Sequence, residues 1–188
     1  GEADPVVAMR RFVGAQDTVG LKVDSLGCPR AVFHPALTAR VIQLVKAVGV
    51  SASRITVWDQ GRAHLRRAGY PVDGQLEGVA VLHGGSPNLP PPAPAERYDA
   101  ARSVQWSPLL GRCSAVINLH GAKDHRRCGV SGALVNMALG CLVDASPLHP
   151  VLHEAVARLY ARPRIAGRGR LNLCDAGYVL RQGGPLDQ

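Results

Sequence analysis

Lys123, Asp124 and His125 stand consecutively in AVINLHGAKDHRRCGVSGALVNMALGCLVDASPLH, residues 115–149, and Cys128, Ser131, Asn136 and His149 follow in the same stretch. No other part of the chain gathers side chains of these types so closely. A lysine ahead of a helix start favours an anionic group such as phosphate or carboxylate. Imidazole titrates near neutrality, so His125 qualifies as a general base or as a metal ligand. The competing explanation is a solvated, charged turn. His149 and His153 lie one helical turn apart, a metal-ligand spacing, although no third ligand is fixed by it and His149 also suits a helix start before Pro150. The metal candidates are His125, His149 and Cys28, and a divalent cation is what such a set would take. Asp59 and Asp175 suit acid–base or metal roles equally with helix capping. Asn136, in a small-residue segment, needs hydrogen-bond partners and either fixes the His125 region or touches ligand.

Several function classes drop out. The five cysteines, at 28, 113, 128, 141 and 174, include no C-x-x-C pair, so no iron–sulfur cluster or zinc ribbon is expected from this chain. Nucleophile-elbow, P-loop and dinucleotide fingerprints are absent. The net charge of +8 raises nucleic-acid binding, but the cations are scattered arginine pairs and lysine occurs only at 22, 46 and 123. Without a basic run carrying interleaved aromatics, no nucleic-acid partner is expected. No apolar run reaches the roughly 18 residues of a membrane span.

The 188 residues, 46% hydrophobic but only 4% aromatic, suit one domain whose core is built from Val, Leu, Ile and Ala. The expected fold is α/β, a single three-layer domain over 1–188 with a mostly parallel sheet and helices on both faces. Strands are read at 18–24, 55–58, 78–82, 114–119 and 171–174. Helices are read at 35–48, 62–68, 132–142 and 150–162, with a short one within 102–112. The five prolines of 86–95 mark an extended surface loop.

Polar residues collect just past strand carboxyl ends: Lys22 and Asp24, Asp59, His83, His120 with Lys123 to His125, and Asp175. Parallel sheets bind ligands there, because loops and helix starts converge on that edge. The candidate catalytic residues are therefore Lys123, His125 and Asp59. The candidate ligand-binding residues are Lys22, Asp24, His120, Asp124, Ser131, Asn136 and Asp175.

Read in order, VGLKVD, His34-Pro35 with its helix, ITVWDQ with LRRAGY, VINLHGAKDHRRCGVSGALVNMALG, His149 and LNLCDA resemble successive motifs of the family catalogued as domain of unknown function 362. The resemblance spans nearly the whole chain. It implies that Lys22, Asp59, Lys123, Asp124, His125, Asn136 and His149 occupy the family's polar positions. This chain departs at Asp24, where Asn is common, at Gln60, where Arg is common, and at Val135, which replaces a Lys. The last change removes a positive charge from the implied pocket. Some members carry ferredoxin-type modules, others twin-arginine export signals. Arg10-Arg11-Phe12-Val13 resembles such a signal core, but polar Gln16-Asp17 follows, so it is not read as one. The start at Gly1 is compatible with a signal removed upstream. The expected setting is bacterial, periplasmic or secreted, with the cytoplasm as the alternative.

Two functional readings follow. In one, the domain binds a small anionic or metal-bound ligand at the strand ends and acts as an enzyme or a binding protein, with a homo-oligomer compatible with either. In the other, it is a non-catalytic module whose proline loop engages a partner.

Overall fold

The computed structural model describes residues 4–27, 31–182 and 184. A short α1, Pro5–Met9, is capped by the Asp4 carboxylate, which accepts from Val6 N at 2.7 Å. Every residue of β1, Val19–Val23, is buried, as a strand covered on both faces requires. The chain continues through α2, Pro35–Ala47, with proline at its first position and His34 as its cap. Next come β2, Ile55–Trp58, α3, Arg62–Arg67, β3, Gln75–Leu76, and β4, Val79–Leu82. Strands β5, Glu96–Arg97, and β6, Ser103–Val104, form a small separate ribbon. After α4, Pro108–Gly111, come β7, Ala115–His125, β8, Gly129–Ser131, and α5, Ala133–Gly140. The final elements are α6, Leu152–Tyr160, α7, Pro163–Ala166, and β9, Gly169–Leu180.

The main sheet has seven strands. β4, β2, β1, β7 and β9 lie side by side and parallel, while β3 is antiparallel along β4 and β8 antiparallel along the far part of β7. The chain winds outward from β1 to β2 to β4, then returns to the other side of β1 as β7 and continues outward to β9. Strand order thus reverses between β1 and β7, the place where such sheets open a crevice at their carboxyl ends. One core joins Met9 of α1 and Val41, Ile42 and Val45 of α2 to Leu21, Val57 and Ile117. On the opposite face, Val116 packs with Leu109 of α4, Met137 of α5, Leu152 and Leu159 of α6, and Ile165 of α7. Helices cover both faces of a mostly parallel sheet, as the alternation of elements predicts.

Several boundaries differ from the sequence reading, the central one at β7. This strand runs through Lys123-Asp124-His125 instead of ending at Leu119, because β8 pairs with that extension in the register Lys123↔Ser131, Asp124↔Val130, His125↔Gly129. Arg126 to Cys128 form the three-residue hairpin loop, closed by Gly129 at φ +77°. β9 lengthens in step, its Leu180 reaching Lys123. Within 102–112 only Pro108–Gly111 is α-helical, since Ser103–Val104 pairs with β5. Ser146–Val151, including His149, is a 3₁₀ turn that precedes α6. The proline loop packs on its own chain: Pro90, Pro91 and Ala93 border a groove beside Trp106, and Gln105 Nε2 donates to Ala93 O at 3.0 Å.

Candidate functional site

Lys22 is the next-to-last residue of β1 and its side chain is 1% exposed. An ammonium there needs three acceptors, and it has them. Nζ donates to Val23 O at 2.8 Å and to Asn136 Oδ1 at 2.8 Å, and it lies 2.9 Å from Asp59 Oδ1. It also sits 5.5 Å from the centre of the Trp58 ring, where the π-face adds attraction. Asn136 and Gly140 are four residues apart and so present one face of α5 to this lysine. A Cβ at Gly140 would stand 2.5 Å from Lys22 Cε and 2.6 Å from its Nζ, so glycine is what lets the helix close over the ammonium.

The Asp59 carboxylate completes this group just past β2. Its Oδ2 accepts from Ser25 N at 3.1 Å and Ser25 Oγ at 2.5 Å, and its Oδ1 accepts from Gln60 N at 2.8 Å. Burial by itself pushes this carboxyl up. The Lys22 charge and the bonds from Ser25, Lys22 and Gln60 outweigh burial and hold the carboxyl below its ordinary value. Asn136 Nδ2 donates to Asn118 Oδ1 at 2.6 Å and reaches Lys22 O and Leu119 O, both at 3.4 Å. One side chain of α5 therefore ties β1 to β7 where strand order reverses.

A second buried pair lies beside the first. Lys123 Nζ is 2.7 Å from both carboxylate oxygens of Asp24 and also donates to Leu26 O. Its three protons are likewise placed.

These groups form the floor of a cleft of about 430 Å³, within the range of small-molecule sites. Lys22, Asp24, Asp59, Lys123, His125, Ser131, Asn136 and His149 all line it. Asp124, His120 and Asp175 do not: Asp124 Oδ1 accepts from Gly184 N at 2.7 Å, His120 Nδ1 lies 3.1 Å from Gly121 O, and Asp175 Oδ2 accepts from His34 N at 3.3 Å. His83 is likewise elsewhere, with Nε2 3.4 Å from Asp73 Oδ1. Cys28 lies outside the described residues. Among those described, no group of three or more His, Cys, Asp or Glu is arranged to hold a metal ion.

Residue types alone do not reveal the cleft's rim and wall. Arg126 and Arg127 come from the β7–β8 loop, His64 from α3, and Leu139, Leu142 and Val143 from α5 and the turn after it. The Arg126-Arg127 pair adjoining His125 is the one visible signal. Gln60 Nε2 donates to Leu142 O at 2.7 Å, tying the end of α5 to the loop after β2. The acidic residue lining this part of the cleft is Asp144, whose carboxylate accepts from Ser146 N at 2.8 Å and Ser146 Oγ at 2.7 Å.

His125 has a distinct electronic state. Its Nδ1 accepts from Arg127 N at 3.2 Å and Cys128 N at 3.3 Å, so the neutral ring carries its proton on Nε2. Burial pulls the imidazole below its usual value. Asp124 opposes that, while His149, Arg127 and Lys123 reinforce it. At neutral pH His125 is a hydrogen-bond donor held at the cleft.

Among the described residues no helix is long and apolar enough to cross a membrane. Over 147 residues the chain is 29% identical to the Bifunctional enzyme IspD/IspF of Sphingopyxis alaskensis (strain DSM 13593 / LMG 18877 / RB2256), a match that covers 77% of this chain and 35% of that relative. The chain thus spans about a third of that relative's length. Residues 19–188, which carry every residue of the cleft, match the family described as Domain of unknown function (DUF362), and the protein belongs to that family.

Proposed function

We propose that the protein binds a small anionic ligand in the cleft at the carboxyl ends of β1, β2 and β7, with Arg127 and His125 making the contacts. The observation that carries this reading is the distribution of charge around the cleft. Lys22 and Lys123 are each matched by a carboxylate and hydrogen-bonded at all three positions. The floor is therefore electrically balanced. Among the described residues, the Arg127 guanidinium stands at the rim with one nitrogen given to His149 O, the Asp144 carboxylate is taken up by Ser146, and the imidazoles of His64, His125 and His149 stand beside them. A guanidinium fork suits carboxylate or phosphate. The His125 Nε2–H adds a neutral donor. A ring that offers N–H in place of a lone pair favours an anion over a metal-bound ligand. Any reaction at this site would draw on His125 as hydrogen-bond donor, since Asp59 and Lys123 are held in ion pairs.

Calorimetric titration with inorganic phosphate, sulfate and acetate tests the reading, alongside elemental analysis of the purified protein. The expected result is saturable binding of at least one anion, weakened about tenfold or more in Arg127→Ala. Binding of none of them, or equal binding by that variant, refutes it.

A further inference from the structure

The wall facing the rim is of another character, and it narrows the ligand class. Val135 and Leu139 are one turn apart on α5, Leu142 and Val143 follow it, and Ala145 and Leu152 continue the surface to the start of α6. Leu142 and Leu152 are fully packed, whereas Leu139 and Ala145 are half-buried and Val143 is 45% exposed. An inorganic anion would leave this apolar surface in water. A sugar would meet few polar partners along it. A polyphosphate needs more positive charge than the Arg127 guanidinium provides, and the sequence carries no glycine-rich phosphate loop.

The balanced floor points the same way. Covering an unpaired buried charge with hydrocarbon carries a large desolvation penalty, but the Lys22–Asp59 and Lys123–Asp24 pairs are already desolvated and saturated. An apolar body can lie across them without stranding a charge.

Building on the anion-binding reading, we propose that the ligand is a soluble amphiphilic acid. Its carboxylate or phosphate monoester is held at Arg127 and the His125 Nε2–H, and its apolar body lies along Leu139, Val143 and Ala145. The charge is read at the rim and the size at the wall. A cleft of about 430 Å³ has room for both parts.

Calorimetry on the full chain tests this with inorganic phosphate, hexyl phosphate and the series butanoate, hexanoate and octanoate. Affinity should rise on the order of threefold per added methylene, and hexyl phosphate should bind more tightly than phosphate. In Leu139→Ser and Val143→Ser, checked for folding by thermal melting, the dependence on chain length should flatten. In Arg127→Ala every acid should weaken together. A flat series with phosphate still bound overturns the amphiphile assignment and leaves the anion site standing. No binding of any acid, phosphate included, removes both. Co-sedimentation with phosphatidylglycerol vesicles in preference to the soluble acids overturns the assignment to a soluble ligand.

Discussion

The floor and the rim of one cleft are built from the same kinds of residue and do opposite things. On the floor, Lys22 and Lys123 are enclosed, and each of their protons has an acceptor. At the rim, Arg127 gives one nitrogen to His149 O at 2.9 Å, and His125 has its Nδ1 engaged while its Nε2 proton has no acceptor among the described residues. The contrast teaches that a cluster of ionisable side chains at strand ends does not identify ligand contacts. Saturation separates the two groups: charges whose partners are all internal hold the sheet together, and those with donors to spare are the ones the proposed ligand would meet.

The largest effect should come from breaking the floor. Lys22→Ala or Asp59→Ala leaves a buried charge without its counter-ion, and each should lower stability by about 3–5 kcal/mol, as read by urea unfolding. The double variant Lys22→Met/Asp59→Leu should lose much less than the sum of the two singles, because no unpaired charge remains. Additive losses would show that the pair is not a unit. Asn136→Ala comes next. It removes an acceptor from Lys22 and a donor from Asn118, and the groups left unsatisfied cost about 1–3 kcal/mol.

Acid titration separates the two regions by pH window, since both contributions are lost on acidification but over different ranges. The Asp59 carboxyl lies below its ordinary value in the folded protein. Its contribution to stability is therefore present above its unfolded value, near 3.9, and disappears as pH falls through the lower folded value. Unfolding followed from about pH 5 downward should show this loss, and Lys22→Met should reduce it. His125 is also depressed in the folded state. Its smaller contribution is complete above about pH 6.5 and fades as pH falls through the folded value.

Much of the frame was legible in the sequence, and the reasons are local. The wholly apolar run through Ile117 announces a covered strand, and His34-Pro35 announces a helix start. Lys22, Asp59 and Asn136 could be picked out because polar types at strand ends and in small-residue helices stand out from an apolar background. What could not be read was pairing. The sequence pattern ends the strand at Leu119 because Lys123-Asp124-His125 is too polar to look like one; that segment becomes a strand only when β8 folds back upon it. The same gap hides that Lys123 meets Asp24, 99 positions earlier in the chain. The apolar wall was equally hidden, since Leu139 and Val143 resemble any other helix core until α5 is seen beside open space.

The smallest change in stability should accompany a large change in binding, and His125 is where the two come apart. Its Nδ1 caps the hairpin loop by accepting from Arg127 N and Cys128 N, while its Nε2 proton is the one the proposed ligand would use. Asparagine offers an oxygen near the position of Nδ1, and its side chain accepts backbone N–H bonds two residues on in turns of this kind, but nothing in it reaches to where Nε2 stands. His125→Asn should therefore stay within about 0.5 kcal/mol of the parent, whereas His125→Ala should lose about 1 kcal/mol along with the cap. Both should bind phosphate or a carboxylate more weakly than the parent, and to similar extents. If the asparagine variant kept the parent's affinity, His125 would belong with Lys22 and Lys123 among the groups that shape the cleft, and Arg127 would be left to read the anion without it.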